Sequence, residues 1–157
     1  MSIRCSATTK SGNRCKLKTL KTNLCWIHLK KEKHLRVKPS NIAGAGYGLY
    51  ATKDFKKKEK VAEYQGLTKR RKPSGYYGLQ VKRNPPKYID AKNPHSCSGR
   101  YCNTCRRQNK NAGECRGNNA KFAISHRNNR TNVNIKATKK IKANDEIYVP
   151  YGSGFRI

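Results

Sequence analysis

The stretch VNIKATKKIKANDEIYVPYGSGF, residues 133 to 155, decides the fold of this 157-residue sequence. Its fixed points run from Ile135 to Gly152 in the order I-x-A-x-x-x-I-x-x-x-x-E-I-x-x-x-Y-G. Taken alone this pattern is not specific, because a single short motif matches many unrelated sequences. Its meaning therefore depends on the pieces that precede it in the chain.

The most prominent earlier piece is SNIAGAGYGLYA, residues 40 to 51, with glycines at 44, 46 and 48. Glycines this dense usually let the backbone approach a ligand such as a phosphate or a nucleotide. A dinucleotide-binding loop, however, needs G-x-G-x-x-G between a strand and a helix. This stretch is one residue short, and short β-like runs around a Lys-rich turn follow it. The dinucleotide interpretation is disfavoured, whereas an ordinary glycine hairpin stays open.

Four further pieces lie between these two stretches: EYQG (63–66), YIDA (88–91), RYCN (100–103) and NNAKF (118–122). In this order the six pieces resemble the SET-domain family of protein lysine methyltransferases, over roughly residues 36–155. The resemblance implies a mostly β fold of the β-clip type, built from short curved sheets. It also implies a pseudoknot, in which the C-terminal segment passes through a loop beside the R-Y-x-N strand.

The resemblance further implies a site for S-adenosylmethionine (AdoMet) next to an active site formed by tyrosines. The glycine loop would lay its backbone along AdoMet, and Asn103 would hydrogen-bond the methionine end of the cofactor. The predicted cofactor-binding residues are Ala45, Gly46, Tyr47, Tyr101, Asn103, Thr104 and Tyr151. Tyr151 matches the catalytic tyrosine of the family, and Tyr64 is predicted to line the active site. Since the chain has nine tyrosines, ordinary sheet packing is the alternative for each of them.

Departures from the family pattern limit what the resemblance implies. Thr104 follows Asn103 where many members have histidine, so a histidine contact to the adenine is not available. Val149 stands where an aromatic residue often tunes the number of methyl groups added, so mono-, di- or trimethylation is not predicted. Asp90 and Glu146 match structural positions, and no chemistry is assigned to them.

The N-terminal segment carries a separate pattern of metal ligands. Cys5, Cys15, Cys25 and His28 follow C-x9-C-x9-C-x2-H, which supplies the closed tetrahedral shell of a structural zinc. So small a segment cannot bury enough surface to fold alone, and the metal would supply on the order of 10 kcal/mol. The alternative is a flexible arm with scattered thiols. The segment resembles a Cys3His module of large DNA viruses and protists, and the whole chain resembles their small stand-alone SET proteins.

A second cysteine cluster surrounds the R-Y-x-N motif. Cys97, Cys102, Cys105 and Cys115 follow C-x4-C-x2-C-x9-C, which is compatible with a second zinc site. Cys102 lies inside the motif, however, where a buried thiol would be an ordinary small apolar side chain. Both possibilities stay open. In a reducing compartment we expect all seven cysteines to be thiols or metal ligands rather than disulfides.

These interpretations divide the chain into a Cys3His module at 1–30, a basic linker at 31–39 and a SET domain at 40–157. The chain has no apolar run long enough to cross a membrane, and its N-terminus lacks the apolar region of a signal peptide. We therefore expect a soluble intracellular protein without a membrane partner, located in the nucleus, a viral factory or a virion. The oligomeric state is not predicted.

The charge of the chain points to its partners. The chain has 37 Lys+Arg and only 8 Asp+Glu, which gives a formal net charge of +29. Such an excess of positive charge favours association with DNA or RNA. A solubility device is the alternative. The leading hypothesis is an AdoMet-dependent protein-lysine methyltransferase that acts on a histone. One alternative is a methyltransferase of ribosomal or other non-histone proteins. The other is a non-catalytic basic zinc protein that binds chromatin, and Thr104 in place of the usual histidine keeps this second alternative open.

Overall fold

The computed structural model describes residues 1–152, in which short strands predominate and helices are brief. The strands are β1 (Ile3–Arg4), β2 (Lys18–Thr19), β3 (Leu35–Pro39), β4 (Tyr47–Ala51), β5 (Lys60–Glu63), β6 (Leu67–Lys69), β7 (Gly78–Lys82), β8 (Lys87–Asp90), β9 (Ala120–Arg127) and β10 (Arg130–Ala137). The helical segments are α1 (Trp26–His28), a π-helical turn (Leu29–Lys33), a 3-10 turn (Gly99–Tyr101) and α2 (Arg107–Asn111). The predicted mostly β fold is confirmed. No helix within residues 1–152 has the length and apolar character that a bilayer crossing requires.

The strands pair into four small sheets, in the orders β1-β2, β3-β4, β5-β10-β9 and β6-β8-β7, and every described pairing between strands is antiparallel. The longest ladder joins β9 and β10 in a hairpin whose turn is Asn128-Asn129. Both asparagines have positive φ, which asparagine tolerates better than most residues. Along β10, Val133, Ile135 and Ala137 are buried at alternate positions, so one face of this strand packs on the core.

Strand β3 occupies part of the segment that was expected to be a basic linker. Its register with β4 runs from Leu35 opposite Ala51 to Pro39 opposite Tyr47. Leu35 is buried and Val37 packs against the core, whereas Arg36 between them is exposed. The apolar residues therefore follow the two-residue period of a strand, which the density of basic side chains obscured.

The N-terminal module shares its core with the rest of the protein. Cys5, Cys15 and Cys25 belong to the same buried cluster as residues of β3, β4 and β10, with Leu29 among them. The three buried thiols therefore pack on the wall of the β fold rather than in a detached arm.

The last described segment is held between two other parts of the chain. On one side, the Val149 N–H donates to the Asn103 carbonyl at 2.9 Å, and Tyr148 forms a parallel bridge with Asn103. On the other side, the Tyr148 carbonyl accepts the N–H groups of Asn119 and Ala120 at 3.1 and 3.0 Å. This crossing is the arrangement that the pseudoknot prediction requires, and it brings the motif at Asn103 beside the C-terminal segment.

The buried carboxylate of Glu146 joins these segments. Only 3% of the residue is exposed, and an isolated carboxylate so placed would be strongly destabilising. Five donors surround it: the Ser40 hydroxyl at 2.7 Å, the Asn41 N–H at 2.8 Å, the Tyr50 hydroxyl at 3.2 Å, the Tyr148 hydroxyl at 2.7 Å and the Asn103 amide at 3.2 Å. Burial, together with the neighbouring charge of Glu146, raises the pKa of Tyr50 to about 12, so Tyr50 stays a donor at neutral pH.

The first prediction concerns Gly48, which packs directly against this carboxylate. A Cβ on Gly48 would lie 2.2 Å from Glu146 Oε1, and the carboxylate cannot move away without losing its donors. We expect Gly48→Ala to lower the free energy of unfolding by about 2–3 kcal/mol, measured by urea denaturation. The control is Gly113→Ala, where a Cβ would meet no atom within 4 Å and only the φ of +72° opposes the change. That control should cost about 1 kcal/mol, and equal losses for the two variants would contradict the packing argument.

Candidate active site and metal centre

The predicted cofactor-binding residues line one cavity of about 870 Å³. All seven lie in its wall, namely Ala45, Gly46, Tyr47, Tyr101, Asn103, Thr104 and Tyr151. The volume is within the range of about 300–1,000 Å³ that is usual for small-molecule sites. Residues more than a hundred positions apart in sequence thus meet around one space.

The glycine-rich stretch connects β3 to β4 and forms one edge of this cavity. The Ser40 N–H donates to the Gly46 carbonyl at 2.8 Å, which closes the connection. Gly46 has a φ of +72°, a conformation that L side chains rarely adopt, and nothing lies within 4 Å of the position that its Cβ would take. The stretch is therefore a glycine hairpin, and its residues 42–46 line the cavity.

Asn103 is held in a defined orientation at the cavity wall. Its side-chain nitrogen donates to the Tyr47 carbonyl at 3.0 Å and to the Glu146 carboxylate at 3.2 Å. Because both neighbours are acceptors, the amide nitrogen must point toward them. The side-chain oxygen is then the atom that Asn103 can offer to a ligand, and it suits a ligand that donates, such as an ammonium group.

Tyr151 lies in the same wall and is half-buried. Its hydroxyl donates to the Cys102 carbonyl at 2.6 Å, so the lone pairs of its oxygen can accept a hydrogen bond from a substrate. Burial raises the pKa of Tyr151, although the nearby charge of Arg106 acts in the opposite direction. Tyr151 therefore stays protonated at neutral pH and orients a ligand rather than acting as a strong base.

Tyr64, which was predicted to line the active site, lies next to this cavity rather than in its wall. It is almost fully buried and is not part of the wall of the 870 Å³ cavity. Its hydroxyl donates to the carbonyl of Tyr77, a residue that does line that cavity, at 2.7 Å. Its ring meets Phe122 edge-on, with 5.4 Å between centroids. Tyr64 also lines a second cavity of about 620 Å³ with Gly66 and Val133.

Sequence reasoning did not identify Arg100 as a site residue, although it belongs to the R-Y-x-N motif. Its guanidinium lies 4.0 Å from the ring centroid of Tyr77 and 4.8 Å from that of Tyr101. It also donates to the backbone carbonyls of Ala91 and Lys92, at 2.8 and 3.2 Å. Arg100 thereby fixes the positions of two aromatic residues of the cavity wall.

Leu20 and Lys21 of the N-terminal module also line the cavity, and no motif predicted this. The Lys21 ammonium lies 4.0 Å from the centroid of the Tyr47 ring. The Tyr101 hydroxyl donates to the Lys21 carbonyl. Patterns within each segment carry no signal for such a contact, because it depends on how the two segments pack.

The predicted Cys3His cluster is present. The ligand atoms of Cys5, Cys15, Cys25 and His28 all lie within 4.8 Å of one another. His28 Nδ1 is 3.2 Å from the Cys25 sulfur and 3.7 Å from the Cys5 sulfur. Ligands around a tetrahedral zinc are separated by roughly 3.8 Å, so the donor set and its spacing fit a structural zinc ion.

The possible second zinc site is not formed. Cys105 and Cys115 are joined by a disulfide, and their Cα atoms are 6.1 Å apart, whereas Cys97 and Cys102 are separate buried thiols. Cys102 packs in the main core and Cys97 in a second cluster beside Tyr64, so their sulfurs do not converge. Within residues 1–152, only the Cys3His cluster gathers metal ligands. The expectation of thiols or ligands throughout therefore does not hold for Cys105 and Cys115.

Comparison with known proteins identifies the family. The SET domain family matches residues 46–152, whereas no curated protein matches the sequence. Among solved structures, polycomb repressive complex 2 from Chaetomium thermophilum, in an autoinhibited conformation bound to S-adenosylmethionine, is 23% identical, with a TM-score of 0.66 over 80% of this chain. A crystal structure of the same complex is 23% identical, with a TM-score of 0.64 over 78% of this chain. The structure of this complex with H3K27me3 and H3K27M is 23% identical, with a TM-score of 0.64 over 77% of this chain.

The likeness to these solved structures concerns the fold. The present chain spans about 16% of the length of the chains that it matches in them.

The second prediction tests the metal centre. We expect the purified protein to contain about one zinc ion per chain. The Cys25→Ser variant should lose this zinc ion, because a serine hydroxyl is a poor zinc ligand. Metal content after dialysis, measured by mass spectrometry, gives the answer. The matched control is Cys97→Ser, which removes a buried thiol outside the cluster and should leave the zinc in place. Equal zinc content in both variants would exclude this cluster as the binding site.

Proposed function

The chain belongs to the SET-domain family, and from this membership we propose that it is an AdoMet-dependent methyltransferase of protein lysine side chains, acting on a histone in the nucleosome. The observation that carries the proposal is a single cavity whose wall contains Gly46, Asn103 and Tyr151. These residues come from the three parts of the sequence that the family pattern assigns to the cofactor and to catalysis. We further propose that residues 1–30 act as a zinc module and residues 40–157 as the catalytic domain.

The wall of the cavity fits the cofactor in chemistry as well as in volume. Ala45 and Gly46 line the wall, with no atom within 4 Å of the position that a Cβ on Gly46 would take, and the oxygen of Asn103 can accept a hydrogen bond from the amino group of the methionine end. When bound, AdoMet supplies an activated methyl group for transfer to nitrogen. The task of the protein is then to align the lysine with this group and to exclude water.

The chain must also present the target lysine as a neutral amine. An ordinary lysine has a pKa near 10.4, so only about one in a thousand is neutral at pH 7. Aromatic rings that exclude water disfavour the ammonium form, and the cations Lys21, Arg100 and Arg106 in the cavity wall disfavour it further. Within the described wall no Asp or Glu is present to act as a base. Tyr151, anchored on the Cys102 carbonyl, would orient the amine.

The surface charge favours nucleosomes over free tails. Exposed cations are distributed over several turns, including Lys56–Lys58, Arg70–Lys72 and Lys139–Lys140. Such a surface repels a basic histone tail and attracts the DNA around it. We infer that the tail is held by strand addition at a sheet edge, while the DNA is held by charge. Chromatin as substrate implies a nuclear location, and the likeness to viral and protist proteins stays a prediction.

The third prediction separates an enzyme from a non-catalytic binding protein. Tyr151→Phe keeps the ring but removes the hydroxyl that orients the amine, so methyl transfer should fall about 100-fold or more. Binding of S-adenosylhomocysteine (AdoHcy), the demethylated cofactor, should be largely kept. Labelled AdoMet with nucleosomes or ribosomes as substrate measures the rate, and mass spectrometry of the product identifies the modified lysine.

The control for this experiment is Tyr88→Phe, because Tyr88 lies in β8 outside the cavity wall. It should transfer methyl groups at the wild-type rate. No transfer by the wild-type protein to any lysine would favour the non-catalytic alternative, and labelling of ribosomes alone would move the substrate away from histones.

The fourth prediction concerns salt. At subsaturating substrate, the rate on nucleosomes should exceed the rate on the free histone tail at 50 mM salt and fall steeply by 200 mM. Neutralising even three phosphates would lower the affinity about 40-fold over this range. The free tail serves as the control, since it carries no DNA. Equal, salt-insensitive rates on both substrates would contradict a role for the basic surface in docking.

A further inference from the structure

We propose that Lys21, which belongs to the N-terminal Cys3His module, binds the carboxylate of the methionine end of the cofactor. The inference rests on the proposed function, because it assigns a residue to the AdoMet site. It also extends that site beyond the matched family region, since Lys21 precedes residues 46–152. The zinc module would then be part of the cofactor site rather than a separate attachment.

The backbone around Lys21 is fixed against the catalytic part of the chain. The Tyr101 hydroxyl donates to the Lys21 carbonyl, and His95 Nε2 lies 3.3 Å from the Thr19 carbonyl. The adjacent Thr22 is 2% exposed, so the turn is anchored on its inner side. The wall position of Lys21 is therefore set by backbone contacts that do not depend on its side chain.

The ammonium of Lys21 lies close to the predicted methionine end of the site. It is 4.0 Å from the centroid of the Tyr47 ring, and the carbonyl of the same Tyr47 accepts the Asn103 amide at 3.0 Å. Lys21 and Asn103 therefore both contact Tyr47. Among the ion pairs of residues 1–152, none includes Lys21, so within this range the ammonium has only the face of an aromatic ring as its charge partner.

The chemistry of the ligand matches this arrangement. A carboxylate is the only anionic group of AdoMet, and its natural partner is a cation or a set of N–H donors. Asn103 cannot provide one, since its nitrogen is already bound to Tyr47 and Glu146 and its oxygen is an acceptor. Arg100 is occupied by two backbone carbonyls and two rings. Arg106 also lines the wall. Of the cations in the described wall, Lys21 is the one seen in contact with Tyr47, whose carbonyl holds Asn103.

The experiment compares two ligands that differ in the amino-acid end. AdoHcy carries the carboxylate, whereas 5′-methylthioadenosine lacks the whole amino-acid end and keeps the adenosine. Calorimetric titration of the full-length protein with each ligand gives the two affinities. Lys21→Met should weaken AdoHcy about tenfold, because a charge-assisted hydrogen bond is lost, and should change methylthioadenosine less than twofold. Lys21→Arg keeps the charge and should retain most of the AdoHcy affinity.

The matched control is Lys18→Met, which removes an exposed lysine of β2 in the same module, outside the cavity wall. It should bind both ligands like the wild type. Zinc content, expected to be unchanged in every variant, shows that the module is intact, and unchanged methylthioadenosine binding shows that the adenosine part of the site is folded.

Two results would overturn the inference. One is an AdoHcy affinity of Lys21→Met equal to that of Lys18→Met. The other is an equal loss for both ligands, which would mean that Lys21 only supports the wall through Tyr47. Failure of the proposed function gives a different result, since the wild-type protein would then transfer no methyl group to any lysine, whatever its affinity for AdoHcy.

Discussion

The site depends on the burial of one carboxylate, that of Glu146. Its five donors belong to the glycine-rich connection, to β4, to the R-Y-x-N motif and to the C-terminal segment itself. A buried carboxylate is tolerated only when such donors satisfy it, because each missing hydrogen bond leaves part of its desolvation uncompensated. Segments that are more than a hundred residues apart are therefore tied to the same point, and none can move alone without a cost to the others.

The cavity follows from this constraint. The Glu146 carboxylate and the Tyr47 carbonyl together fix the amide of Asn103, so its oxygen is available to a ligand. The same carboxylate holds Asn41 at the start of the connection that carries Gly46. The backbone hydrogen bonds that hold Tyr148 and Val149 also fix the position of the chain just before Tyr151, which lies in the cavity wall. A residue to which the sequence pattern assigns only a structural position thus orders the groups that would bind the cofactor and the amine.

Much of this site could be predicted from the sequence, because local motifs in a family order carry it. Gly46, Asn103 and Tyr151 meet at one cavity, and the cysteines and histidine of the N-terminal module converge as their spacing indicates. What could not be predicted depends on packing between segments. Lys21 reaches the cavity through such packing. Cys97 is buried in a separate core cluster and takes no part in the disulfide between Cys105 and Cys115. Strand β3 was obscured because Arg36 and Lys38 alternate with its apolar residues, and basic residues are also typical of a linker.

The distribution of acids explains how a chain with a net charge of +29 can have a cavity wall that suits a neutral amine, as the proposed function requires. Six of its eight carboxylates accept a backbone N–H, in turns or across segments, and so serve the fold. Within the described cavity wall the charged side chains are all cations, and tyrosines provide most of the aromatic surface. Such a wall opposes a charged lysine and leaves no carboxylate to pair with it. It also offers a cation to a ligand that brings its own carboxylate. Under the proposed function, the same excess of basic residues would therefore disfavour a charged lysine and favour the carboxylate of the cofactor.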